Sequence, residues 1–176
     1  MVILLSYICL EFCPFGNNIQ TMKHFENDKL SFDYPRDWGT LSEIWPEHEP
    51  GHDEALNADE VAGVALPRSS MSVRVYSRKL PPGSSLKSVY EETYENTWIS
   101  QYVKSHTISE GTITVDGVTA YERVYKRPHG EPWYQIRDVW LEKGGRIYIL
   151  SCWATPDSFD EAQHEFNLII NSFHVK

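Results

Sequence analysis

The stretch 146-RIYILSCWA-154 is apolar on both faces. In an extended chain, successive side chains point to opposite sides. Ile147, Ile149 and Trp153 then fall on one face, and Tyr148, Leu150, Cys152 and Ala154 on the other. A strand buried on both sides needs a sheet covered on both sides, so a cover is expected above and below. One lies immediately downstream. Thr155-Pro156-Asp157-Ser158 opens a final helix, with Ser158 and Glu161 at capping-box spacing, and Phe159, Ala162, Phe166, Ile169, Ile170 and Phe173 form its apolar stripe.

The other cover lies upstream. After the break Pro81-Pro82-Gly83, Leu86, Val89, Tyr90, Tyr94, Trp98 and Tyr102 recur at three- and four-residue steps. This spacing predicts a helix over 85–101, capped by Ser84 or Ser85, with Lys87 and Glu91 as an i,i+4 pair. Between the two helices the chain reads as strand and turn. Segment 107–115 meets 118–127 across Asp116-Gly117, a two-residue hairpin signal. Residues 128–132 (PHGEP) turn into 134–142, and Lys143-Gly144-Gly145 turns into the opening stretch.

Further upstream, 29–34 (KLSFDY) alternates until Pro35, 37–45 reads as a short extended piece, and 61–66 and 71–79 read as strands. Hairpin connections dominate, which makes the sheet mostly antiparallel. The expected fold is α+β, a three-layer α/β/α sandwich, with residues 1–23 as an N-terminal extension and 24–176 as one domain. A chain of 176 residues can bury roughly 70% of its unfolded surface without disulfide or metal.

The net charge is −9, from 16 basic and 25 acidic residues, so the surface repels phosphate backbones and excludes nucleic acid as an expected partner. Of the three cysteines, Cys152 reads as a small core residue, while Cys9 and Cys13 lie in the opening segment MVILLSYICLEFCPFGNNIQT. Its apolar run is too short to span a bilayer and lacks a basic flank. Two readings stay open. One is a decayed export signal with a lipid-bearing Cys9 or Cys13, tethering the protein at a membrane surface; Ile8 and Phe12, where a cleavage site wants small residues, speak against it. The other is a true start at Met22 and a cytoplasmic protein.

Catalytic patterns are weak. His48-Glu49-Pro50-Gly51-His52 matches the zinc pattern H-E-x-x-H, which needs both imidazoles one helical turn apart. Pro50 and Gly51 oppose that helix, so a zinc-dependent hydrolase is only a remote alternative. No nucleophile elbow, phosphate loop or dinucleotide fingerprint occurs, and a buried strand cysteine is a poor nucleophile. The expectation is no enzyme and no cofactor. Residues 46–60 carry no Lys or Arg and read as an acidic surface loop. Within it His48, His52 and Asp53 are weak metal candidates, which leaves a divalent-metal or small-molecule carrier as the second class. Glu47, Glu49, Asp53 and Glu54 are the candidates for contact with a protein partner bearing a basic face. The protein is expected to be a monomer.

Segments 32–38 (FDYPRDW), 115–120 (VDGVTA), 148–154 (YILSCWA) and 166–173 (FNLIINSF) follow one another as in PsbP-like domains. Over about residues 24–176 the chain resembles this superfamily, which includes the extrinsic PsbP subunit of photosystem II, the Ran-binding import factor of yeast, and small microbial proteins and lipoproteins. The resemblance implies an antiparallel sheet between helices and a non-catalytic docking or binding domain. It carries over no functional residues and no photosystem role. Tyr34-Pro35 ends a strand, Trp38 is expected to plug the sheet edge, and residues 46–60 look longer than the matching turn in compact relatives.

Overall fold

The computed structural model describes residues 22–128 and 133–176. Cys9, Cys13 and both readings of the N-terminus lie outside the described residues, as does most of the PHGEP turn. The elements in chain order are β1 (Met22–Glu26), β2 (Leu30–Pro35), β3 (Gly39–Thr40), α1 (Leu41–Ile44), β4 (His52–Asp53), β5 (Ala58–Ala65) and β6 (Ser72–Lys79). Then follow α2 (Leu86–Asn96), α3 (Ser100–His106), β7 (Thr107–Val115), β8 (Val118–Pro128), β9 (Trp133–Lys143), β10 (Arg146–Ala154), α4 (Gln163–Ser172) and β11 (His174–Val175).

The main sheet runs β3-β5-β6-β10-β9-β8-β7, with β4 on the same edge of β5 as β3, and every pairing is antiparallel. The opening stretch is its middle strand: Leu150 sits opposite Val75 on one neighbour and Val139 on the other. Its two faces feed two cores. Tyr148, Leu150, Cys152 and Ala154 join Trp38, Phe166, Ile169 and Ile170 under α4. Ile147 and Ile149 join Val89, Tyr90, Tyr94, Ile99 and Val103 under α2 and α3. Each fully buried Leu or Ile stabilises the fold by about 1.5–3 kcal/mol, which makes β10 the axis of both cores. The α+β sandwich with a mostly antiparallel sheet is therefore the observed fold. The layer beside α4 also contains a second sheet, β1-β2-β11. Asp33 N–H donates to Ser172 Oγ at 2.9 Å and joins that ribbon to the helix.

The two tight hairpins form as expected. Asp116 and Gly117 (φ 50 and 76) and Gly144 and Gly145 (φ 63 and 75) place both central residues in the left-handed region, as a type I′ turn requires.

Four local expectations differ. Residues 37–45 are not extended throughout, because Thr40 and Glu43 close a capping box around α1. The helix expected over 85–101 is two helices: it begins at the Ser85 cap, but Thr97 is extended at its C-cap. The break turns Ile99 and Val103 into the core and leaves Trp98 half-exposed. The Ser158–Glu161 box does not form. Ser158 Oγ bonds Thr155 instead, and α4 starts from Ala162 with no side-chain cap. Trp38 packs edge-on against Phe166 at 6.4 Å rather than plugging the sheet edge.

Residues 46–60 are a folded hairpin rather than an open loop. His52 pairs with Asp59 and Asp53 with Ala58, and Ala55, Leu56 and Ala58 are buried. Asp53 Oδ1 accepts from the backbone N–H groups of Ala55 and Leu56, each at 2.9 Å, and so shapes the turn. No helix among the described residues is long and apolar enough to cross a membrane.

Candidate functional site

Helices α2 and α3 leave part of their sheet face open. There the strands and the hairpin edge enclose a cleft of about 280 Å³. Strand register fixes its floor. Arg127 on β8 is opposite Tyr134 on β9, Arg74 on β6 is opposite Ser151 on β10, and Trp153 on β10 is opposite Ser72. Paired residues share a face, so Arg74, Tyr76, Arg127, Tyr134 and Trp153 all point into one depression. Trp45, Asp53 and Ser69–Ser72 form its rim.

Arg127 is 6% exposed. Its guanidinium carbon stands 4.4 Å from the ring centroid of Trp153 and 5.3 Å from that of Trp98. Each such contact contributes about 0.5–2 kcal/mol. Nε of Arg127 is the one buried side-chain nitrogen or oxygen among the described residues without a hydrogen-bond partner. An unmet buried donor costs about 1–3 kcal/mol. Arg74 differs, since its Nη1 is 3.3 Å from Glu60 Oε2 and Glu60 Oε1 is 2.7 Å from His48 Nε2.

A polar chain backs the cleft. Asp138, fully buried on β9, accepts from Tyr94 Oη at 2.6 Å, Tyr125 Oη at 2.9 Å and Ser151 Oγ at 2.5 Å. Trp153 Nε1 donates to Ser151 Oγ at 2.8 Å, and Trp140 Nε1 to Tyr94 Oη at 3.0 Å. Burial pushes the Asp138 carboxyl above its ordinary range, against the three hydroxyl bonds and the charge of Arg127. Burial, then the charge of Asp138, likewise holds the Tyr94 phenol far above its usual value; burial does the same for Tyr125. These groups fix the tilt of Trp153. Phenols held protonated and a carboxylate with its lone pairs occupied are suited to positioning rather than to proton transfer.

The residues singled out in the acidic segment separate. Residues 48–51 run irregularly into β4 at His52, with no helix. His48 meets Glu60, whereas His52 Nδ1 lies 2.7 Å from Asp59 Oδ1. Among the described residues no group of three or more His, Cys, Asp or Glu is placed to hold a metal. Glu47, Glu49 and Glu54 are exposed and have no ion-pair partner among the described residues. Only Asp53 reaches the cleft. Sequence reasoning passed over Arg127 and Arg74. Their signal was a cation at an inward position of an alternating strand, where an apolar residue is expected.

A family model for PsbP-like protein matches residues 14–175. The fold also matches the solution structure of cyanobacterial PsbP (CyanoP) from Synechocystis sp. PCC 6803, at 17% identity and TM-score 0.58, over 95% of this chain and 99% of that one. LpqN of Mycobacterium tuberculosis, described as involved in cell envelope biogenesis, aligns at 11% identity and TM-score 0.56, over 88% of this chain and 91% of that one. The Ran-binding protein Mog1p of Saccharomyces cerevisiae aligns at 12% and TM-score 0.52, over 89% and 96%. No curated protein sequence matches. At these identities the structural likeness carries the fold alone, and the family rests on the match that spans nearly the whole sequence: the chain belongs to the PsbP-like family.

Proposed function

We propose that this PsbP-like domain is a non-catalytic accessory module that docks onto a protein partner bearing a basic face. The observation that carries the reading is the hairpin over residues 46–60. Its exposed carboxylates Glu47, Glu49 and Glu54 have no cation beside them among the described residues, while its internal pairs, His48–Glu60 and His52–Asp59, are formed. Unpaired charge on a backbone held by a buried turn is pre-organised for an oppositely charged surface, and it speeds encounter as well as selecting the partner. One protein of similar fold, Mog1p of yeast, is a Ran-binding protein, which is in keeping with this reading. The net charge of −9 works in the same direction.

The test is the triple reversal Glu47→Lys, Glu49→Lys and Glu54→Lys, with cross-linking mass spectrometry in extracts of the native host. A partner captured by the wild type and lost by the variant, at an unchanged melting temperature, supports docking through the hairpin. Equal capture by both proteins overturns it.

A further inference from the structure

We propose that the cleft around Arg127 binds a small monocarboxylate with a flat apolar body. This goes beyond partner docking and does not depend on it.

Arg127 is a buried cation that acts on Asp138 only through its charge: among the described residues it forms no ion pair, and its Nε has no hydrogen-bond partner. Burying a charge is tolerated when it is paired and hydrogen-bonded, and is otherwise costly. The indoles of Trp98 and Trp153 offset part of that cost from the ring faces, but they leave the in-plane Nε–H unmet. Asp138, the fully buried carboxylate that feels the charge of Arg127, does not hydrogen-bond that Nε–H, since its oxygens accept from Tyr94, Tyr125 and Ser151. Arg127 lines an open cleft.

The chemistry of that cleft selects the ligand. A guanidinium edge matches a planar two-oxygen anion. Among the described residues the cleft holds one cation outside an ion pair, because Arg74 is paired with Glu60 and Asp53 adds a negative charge at the rim. One such positive charge in a chain of net charge −9 favours a monoanion over phosphate. Trp45, Tyr76, Tyr134 and Trp153 supply aromatic walls for the body of such an acid. A volume of about 280 Å³ sits at the small end of ligand pockets, which suits one ring and a short arm. The same carboxylate chemistry could arrive as a free acid or as the last residue of a peptide.

Titration of the full chain with phenylacetate, followed by calorimetry and by the Nε–H resonance of Arg127, tests the proposal. The expected result is saturable binding at millimolar concentration or below, with that resonance shifted. Phenylacetamide, which keeps the shape and loses the charge, should bind roughly tenfold more weakly or worse. Arg127→Lys keeps the charge but not the fork, and should weaken phenylacetate by a similar factor, roughly tenfold. Ser70→Phe, at the rim, should block the cleft without touching the buried cation, and so serves if Arg127 variants fail to fold. A peptide ending in a free Phe carboxylate, set against its amide, separates the two sources: peptide selectivity without phenylacetate binding assigns a chain terminus, and the reverse a free acid. A silent Nε–H resonance with no heat from either probe overturns the site. So does equal affinity for acid and amide, or binding unchanged in both Arg127→Lys and Ser70→Phe. Neither result bears on the triple Glu→Lys capture experiment, so the two proposals fail separately.

Discussion

Tyr94 on α2 donates its phenolic hydrogen to Asp138 on β9 across 2.6 Å, and the same hydroxyl accepts from Trp140 Nε1 at 3.0 Å. One oxygen thus ties the helical cover to two positions of the sheet inside the second core. Tyr94→Phe keeps the ring contacts with Tyr90, Tyr125 and Trp140 and leaves Asp138 and the indole short of a partner. We expect a loss of about 1–3 kcal/mol in urea unfolding, with the secondary structure unchanged by circular dichroism.

Asp138 itself gives the pH dependence a sign. Burial raises its folded-state pKa above the ordinary 3.8, despite bonds from Ser151, Tyr94 and Tyr125 and the charge of Arg127. The folded protein therefore holds this proton where the unfolded chain has released it. Its stabilising contribution is complete below the unfolded value and declines as pH rises through the folded one. Asp138→Asn removes the titration. The stability of the wild type minus that of the variant should be greatest in acid and shrink with rising pH; a difference that grows with pH contradicts this assignment.

A Cβ on Gly63 would stand 2.4 Å from Leu41 Cδ1 and 2.8 Å from Leu41 Cγ. Leu41 is buried at the start of α1, so Gly63→Ala must push the helix or its leucine aside. A cost of about 1–3 kcal/mol is expected. Leu41→Ala on the same chain should recover part of it, giving a double-mutant coupling on the order of 1 kcal/mol. Additive losses would show that the contact is not the cause.

Asp116 opens the β7–β8 turn and gathers the C-terminus. Its carboxylate takes Lys143 Nζ at 2.5 Å, Val175 N–H at 2.9 Å and His174 Nδ1 at 2.8 Å. Burial pushes its pKa up, but the bonds to Lys143, Val175 and His174 outweigh burial and hold it below 3.8. Its contribution is present above the unfolded pKa and is lost as pH falls through the folded one. Asp116→Asn tolerates φ 50 at this position and should cost about 1 kcal/mol near neutral pH, discounted for the partly exposed Lys143. The wild-type advantage should vanish in acid.

Cys152 is fully buried on β10, and burial raises its thiol pKa well above the ordinary 9.0. A thiol-specific reagent should label it only through unfolding, at a rate that follows denaturant. Peptide mapping would separate this label from Cys9 and Cys13. Rapid labelling of Cys152 in the native protein would overturn its placement between the sheet and α4.

Much of the fold was legible because its signals are local. Alternation over 146–154, the Asp116-Gly117 and Gly144-Gly145 turns, and the stripe of α4 from Phe166 onward each depend on neighbours in sequence and stand where the pattern put them, although the helix begins a turn later than its expected cap. The helix over 85–101 was legible as a helix but not as two. Its apolar spacing continues through Trp98, and only packing decides that Ile99 is buried while Trp98 turns outward to Arg127. The folded hairpin over 46–60 was hidden by composition, since its buried anchors, Ala55, Leu56 and Ala58, are few among many charges.

The sequence by itself determined the two-faced central strand, the antiparallel hairpins and the family, because period-two alternation and turn chemistry are written into adjacent residues. Only the tertiary structure decided the cleft. Arg127 on β8, Trp153 on β10, Arg74 on β6 and Trp98 between α2 and α3 come from segments tens of residues apart, and their meeting depends on strand order and register together. Whether a buried cation keeps or lacks a partner is set by every acceptor the fold brings near it, and no local pattern encodes that sum.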